Sequence, residues 1–250
     1  MAKAVCAIFV FFLVSNYTVG QIFPEPHLHN SDGRAGFGAQ LVTPNALRAP
    51  AKARHAVDRA VKAITSNQPE EAEKQLGRAL SLYPEYAEAL TLRAIVEWKN
   101  DSPAAIADLE RVIELDPGYG AAYAILASIY NDSQQCNNAL VYAQKALHFL
   151  PRAWPVHYEM ARALLGQHRS NEAIGEVSAA IADMSEDPHA SAGSRATVHY
   201  LRAIILMDQR DFREARRELE RTVKEEPAGT LATPSSQLLA QLGSNEDRQK

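Results

Sequence analysis

A pair of alanines recurs five times along this chain of 250 residues, and no other feature constrains its fold as strongly. Ala60 and Ala72, Ala127 and Ala139, Ala161 and Ala173, and Ala203 and Ala215 stand twelve residues apart; Ala94 and Ala105 stand eleven apart. Prolines end four of these units, at Pro84, Pro117, Pro151 and Pro227, and the first three are spaced by 33 and then 34 residues. A fixed period of this length marks stacked repeats, each of which buries its apolar face against its neighbours. Function is then to be sought on a surface built by stacking, and a catalytic pocket is not the default.

Each unit reads as two helices and a turn. In the third, Tyr123, Leu126, Ala127 and Tyr130 fall at i, i+3, i+4 and i+7, one face of a helix. Asn131-Asp132-Ser133 reads as a turn. Ala139, Leu140, Ala143, Ala146 and Leu147 form a second face, which Pro151 stops. Small residues at the middle of both helices let the pair approach closely; a larger side chain there would overpack by roughly 1–3 kcal/mol.

With these residues in place, the unit resembles a tetratricopeptide repeat (TPR), a helix–turn–helix unit of about 34 residues. The resemblance is carried by Tyr123, Leu126, Ala127, Tyr130, Ala139, Ala143, Ala146 and Pro151 in the third unit. The first matches through Ala60, Ala72, Leu76, Ala79 and Pro84, and the second through Leu90, Ala94, Ala105, Leu109 and Pro117, with one residue deleted at Asn100-Asp101-Ser102. Met160, Ala161, Leu164, Ala173 and Ala180 carry the fourth; Ala203, Leu206, Ala215, Leu219 and Pro227 carry the fifth. It implies an all-α, right-handed helix-turn-helix repeat solenoid with units at about 53–86, 87–119, 120–153, 154–187 and 196–229. An ordinary bundle of alanine-rich helices has no reason to hold a period across four junctions.

The pattern departs from the family in one region. Ser185 stands where the fourth unit should end in proline, and eight extra residues lie within Met184–Arg195. Their small and polar character predicts a loop. After a break at Ala228-Gly229-Thr230, Pro234 to Leu242 predicts a short capping helix with Leu238, Leu239 and Leu242 on one side; residues 230–250 are assigned to this cap and a tail.

Residues 1–20 read as a signal peptide: Lys3, an apolar run from Ala4 to Val14, then Ser15 to Gly20 before Gln21. The run is short for a membrane span, which needs about 20 residues, so membrane contact is expected only if this segment stays uncleaved. Its removal takes the formal charge from −4 to −5, which argues against a nucleic-acid partner. The mature chain would keep Cys136 and not Cys6, and so no internal disulfide. Residues 21–50, with Pro24, Pro26, Pro44, Pro50 and several glycines, read as a flexible lead.

The sequence contains no nucleophile elbow, phosphate loop, dinucleotide fingerprint, zincin or EF-hand motif. Glu25, His27 and His29 are the nearest approach to a metal site, but closed sites need three or four ligands at suitable spacing, often CxxC-type pairs; no cofactor and no metal is expected. His157 and His199 recur in the first turn of their first helices, which points to packing. His168 is expected at a helix end beside Arg169. The pairs Glu214–Arg217, Glu218–Arg221 and Glu220–Lys224 read as an exposed helix face. Asn131-Asp132-Ser133 matches a glycosylation acceptor.

By the resemblance, the first helix of each pair lines a groove that takes a peptide or protein segment. The implied lining is Val57, Val61, Thr91, Ile95, Trp98, Ser128, Asn131, Tyr158, Arg162, Leu165, Tyr200, Ile204 and Met207. Val57 and Val61 stand where the chaperone-tail binders of the family place a lysine and an asparagine, which disfavours that partner class. Aromatic residues and arginine on such a surface have the composition of a binding hot spot. The expectation is an exported, bacterial-type, non-enzymatic scaffold, periplasmic or secreted, that binds a protein or peptide in its groove. The alternatives are an accessory subunit of a cell-envelope assembly and a metal-dependent enzyme using Glu25, His27 and His29.

Overall fold

The computed structural model describes residues 48–188 and 190–247. The expected signal segment, nearly all of the lead, and Glu25, His27 and His29 lie outside the described residues. Those described form eleven helices and no strand. They divide into two compact units.

The first unit, within residues 48–188, holds four consecutive helix pairs: α1 (Ala51–Thr65) with α2 (Pro69–Leu82), α3 (Ala87–Glu97) with α4 (Ser102–Leu115), α5 (Gly120–Asp132) with α6 (Cys136–Phe149), and α7 (Trp154–Gly166) with α8 (Ser170–Ser185). Each helix packs on its partner, and successive pairs pack in turn. The second unit, residues 190–247, holds the pair α9 (Ala192–Asp208) and α10 (Phe212–Glu225), with α11 (Ala232–Asp247) against α10. The boundary falls in the loop expected from the break in the period.

The ten alanines of the repeat explain the pairing. All ten are 0 % exposed. With only a methyl group at each of these positions, the two helices of a pair approach until their backbones nearly set the distance. Larger side chains fill the space beside these crossings: Leu76, Leu109 and Leu126 in the first unit, and Leu219 and Leu238 in the second, are almost fully buried.

The turn within each pair has its own logic. Asn67, Gln134, His168 and Arg210 adopt φ of 54°, 57°, 60° and 64° at equivalent places, two residues before the second helix. In each, the following N–H reaches back five residues to a helix carbonyl: Gln68 to Ala63, Gln135 to Tyr130, Arg169 to Leu164 and Asp211 to Leu206, at 2.8–2.9 Å. This closure satisfies carbonyls that the helix end would leave open. The α3–α4 turn, in the pair whose alanines stand one residue closer, lacks the left-handed position; Asp101 N–H bonds to Glu97 O instead, and the Asp101 side chain caps α4 by accepting from Ala104 N–H.

Four local expectations need correction. Asn131 and Asp132 belong to the last turn of α5, and the turn proper is Ser133–Gln135. His168 sits in the left-handed turn, two residues beyond the end of α7. The helix α11 runs from Ala232 to Asp247, longer than Pro234–Leu242; Leu238 and Leu242 are buried and Leu239 partly so. Glu218 does not face solvent: it is 3 % exposed.

Candidate functional site

Of the thirteen residues expected on the first-helix face, eight are buried: Val57, Val61, Thr91, Trp98, Ser128, Asn131, Tyr158 and Tyr200. Ile95, Arg162, Leu165, Ile204 and Met207 keep partial exposure. Trp98, 3 % exposed, belongs to the apolar core shared by α1–α5. Tyr200 packs with Ala203, Leu219 and Leu238. As placed, neither ring offers a partner much surface.

Four of the thirteen come together on α5 and α7: Ser128, Asn131, Tyr158 and Arg162. Their centre is Glu159, which the sequence reading did not single out. It is 2 % exposed, in a helix otherwise rich in apolar residues. Ser128 Oγ donates to Glu159 Oε1 at 2.9 Å, and Asn131 Nδ2 donates to Glu159 Oε2 at 2.7 Å and to the Glu159 carbonyl at 2.9 Å. One turn on, Arg162 Nη1 donates to both carboxylate oxygens, at 3.2 and 3.0 Å, and Nη2 donates to Asp132 Oδ1 at 2.8 Å. The guanidinium also lies over the Tyr158 ring, 5.8 Å from its centre.

Burial pushes the Glu159 carboxyl above its usual range; the Arg162 charge and the Asn131 and Ser128 hydrogen bonds oppose this, while Asp132 adds to it. For Arg162 burial acts downward, but Glu159, Tyr158 and Asp132 outweigh it and hold the guanidinium charged. Two carboxylates share one guanidinium, so the cluster is acidic when both are ionised. Arg162 and Asp132 reach its open side, with side chains 17 % and 24 % exposed. The one hint in the sequence was the i, i+3 spacing of Glu159 and Arg162; the partners on α5 lie 28–31 residues away.

The same cluster answers the glycosylation motif. Asn131 is 7 % exposed and its amide nitrogen is already bonded to Glu159, so it presents no accessible acceptor in this fold.

The two recurring histidines do more than pack. His157 Nδ1 lies 2.7 Å from Glu176 Oε2, and His199 Nδ1 lies 2.7 Å from Glu218 Oε2; both pairs join the first helix of a unit to its second. Arg93 and Asp108 tie α3 to α4 through two hydrogen bonds of 2.7 Å. The positions three residues after Ala105, Ala173 and Ala215 thus all carry a buried or half-buried acid that is paired across its own helix pair.

Cys136 opens α6, half-buried, and its sulfur rests against Gly166 at the end of α7: a Cβ on Gly166 would lie 2.3 Å from Sγ. Gln134, Gln135, Asn137, Asn138, Gln167 and Arg169 line an open polar hollow around it. Among the described residues, no group of three histidine, cysteine or acidic side chains is placed to hold a metal ion. No described helix is long and apolar enough to cross a membrane.

Comparison with known proteins agrees with this architecture. The tetratricopeptide repeat family model matches residues 57–103 and 200–247. No curated protein matches the chain in sequence. Among solved structures, the thermophilic TPR protein TTC0263 of Thermus thermophilus is 16 % identical, with 75 % of this chain and 99 % of that one covered at a TM-score of 0.64. MamA of Desulfovibrio magneticus RS-1 is also 16 % identical, covering 73 % of this chain and 99 % of its own, at 0.58. YrrB, described as a TPR protein with an unusual peptide-binding site, is 18 % identical, with 73 % and 90 % covered, at 0.52. At these identities the likeness speaks for the fold. Repeat phase, helix pairing and the two matched stretches agree: the chain carries tetratricopeptide repeats and has the helix-pair fold of the tetratricopeptide repeat structures it resembles.

Proposed function

We propose that this protein is a non-enzymatic scaffold that binds a peptide or protein segment along the first helices of its repeats, with the α5–α7 cluster at the centre of the contact. The observation that carries this reading is the convergence of Ser128, Asn131, Tyr158 and Arg162 on Glu159. A network already satisfied in its hydrogen bonds holds Arg162 and Asp132 in place, so little ordering cost falls on binding. Half-buried Ile95 and Leu165, on α3 and α7, supply apolar contact. That YrrB is described as having a peptide-binding site lends support by analogy.

The test uses side chains at the rim of this face. Leu165→Glu combined with Ile95→Glu should weaken capture of the main native partner at least about tenfold, roughly 1.4 kcal/mol. Val141→Glu, on the exposed side of α6, should leave it unchanged. Circular dichroism must show the helices intact in both. Equal binding by the two proteins would overturn the proposal. Trp98→Ala is unsuitable here, since emptying a core site of that size costs about 3–5 kcal/mol of stability.

For localisation we propose export, on the strength of Lys3 and the apolar run Ala4–Val14. N-terminal sequencing of the native protein tests it: a start near Gln21 is expected, and a retained Met1 on a cytosolic protein would refute it.

A further inference from the structure

We propose that His157 is a proton-operated latch that fixes the C-terminal half of α8, and with it the start of the segment joining the two compact units. The geometry is specific. His157 stands in the first turn of α7 with its side chain 13 % exposed. Its Nδ1 lies 2.7 Å from Glu176 Oε2 and its Nε2 lies 3.6 Å from Asp183 Oδ2. Glu176 and Asp183 are seven residues apart on α8, two turns along one face, so a single imidazole bridges both. Just beyond, Arg152 pairs with Asp183 at 3.7 Å and with Glu186, and Trp154 Nε1 donates to Asp187 at 3.2 Å. The end of α8 and the two residues after it are therefore held to the start of α7 by polar contacts. Beyond them, Pro188 leads into the loop where the repeat period breaks.

Only the imidazolium can serve both carboxylates, because it carries a proton on each nitrogen; the neutral ring has one N–H to give. Losing the proton removes the positive charge that both carboxylates face, while Asp183 keeps its pairing with Arg152 at 3.7 Å. The charged groups facing the ring are these two acids of α8, with Arg152 beyond Asp183. On α5 and α6, which also pack on α7, the charged groups are engaged elsewhere: Asp132 with Arg162, Lys145 over the rings of Tyr123 and Tyr142, and His148 edge-on to Phe149. The hydrogen bond to Glu176 raises the His157 pKa; burial opposes it, and the charges of Glu176 and Asp183, with a hydrogen bond to the Pro151 backbone, add to it. A raised imidazole pKa means that the latch is complete below about pH 6.5 and is released as the pH climbs through the higher folded value.

The sequence around this contact fits a joint. The pinned residues, Glu186 and Asp187, open the segment that runs to α9 at Ala192. Protonation of one ring then controls how readily this stretch and the last turns of α8 open, independently of any partner on the first-helix face. His199 makes the equivalent contact to Glu218 in the second unit and has no such joint after it, which makes it an internal control.

Hydrogen exchange on the full-length protein, corrected for the intrinsic pH dependence of exchange, tests the proposal. Amides of residues 178–187 in the wild type should lose protection roughly tenfold between about pH 6 and about pH 8.5. His157→Gln should show the low protection at both values, and His199→Gln should keep the wild-type response. Glu176→Gln, which removes one of the two bridged charges and retains the side-chain length, should flatten the response as well. Protection in the wild type that is the same at both values, or a response that survives in both His157→Gln and Glu176→Gln, would overturn the latch. A response lost equally in His199→Gln would show a global stability effect and would overturn it too.

Discussion

His199 Nδ1 lies 2.7 Å from Glu218 Oε2, inside the second compact unit, with the carboxylate residue 3 % exposed. Arg221 Nη1 also donates to Glu218, at 2.9 Å, and Arg202 lies 3.9 Å away. Burial alone would raise the Glu218 pKa; the His199 hydrogen bond, with the charges of His199, Arg202 and Arg221, lowers it overall. Glu218→Ala should therefore destabilise the protein by about 1–3 kcal/mol, while Glu220→Ala on the exposed face should change it by less than about 0.5 kcal/mol. Because the folded pKa is depressed, the Glu218 contribution is present above about pH 4.3 and is lost as the pH falls through the folded value. Urea denaturation of wild type and Glu218→Ala across the acid range would show the two curves converging at low pH. A constant gap would refute this assignment.

The Glu159 cluster predicts an asymmetry between single and paired substitutions. Arg162→Met leaves Glu159 buried without a cation and should cost about 3–5 kcal/mol. Adding Glu159→Leu removes the stranded charge and should restore a large part of that loss. A double variant no more stable than Arg162→Met would mean that the pair is not coupled as its geometry indicates.

Gly166 and Cys136 should behave as one site. Gly166→Ala places a methyl group 2.3 Å from the Cys136 sulfur and should cost about 1–3 kcal/mol. On a Cys136→Ala background, the nearest remaining atom is the residue-136 Cβ, 3.4 Å away, and most of the penalty should vanish. A thermal-denaturation double-mutant cycle reads this coupling; additive effects would contradict the contact.

The left-handed turns give a prediction of opposite sign. Gln134 is exposed with φ of 57°, a conformation that glycine adopts without the side-chain penalty. Gln134→Gly should stabilise the protein by about 0.5–1 kcal/mol, even after the entropy that glycine adds to the unfolded chain. Asn100→Gly, in the α3–α4 turn, which has no left-handed residue, should give no gain. Equilibrium denaturation of the two variants distinguishes them.

The sequence by itself determined the helix pairs and their order. Alanine spacing, terminal prolines and the break before Arg195 are local, periodic signals, and each repeat reads the same contact again: a methyl group where two helices cross. Tertiary structure alone decided which polar residues became partners. The acid positions after Ala105, Ala173 and Ala215 look alike in sequence to charges on a solvent face, because a helix wheel cannot show what the neighbouring helix places opposite. Glu218 reads as part of an i, i+3 surface pair until His199, nineteen residues earlier, is brought against it. Trp98 and Tyr200 likewise read as groove aromatics, yet packing against adjacent helices buries them. Glu159 was legible only as an acid near an arginine; its meaning came from Ser128 and Asn131 on another helix pair, held there by the close approach that the alanines permit.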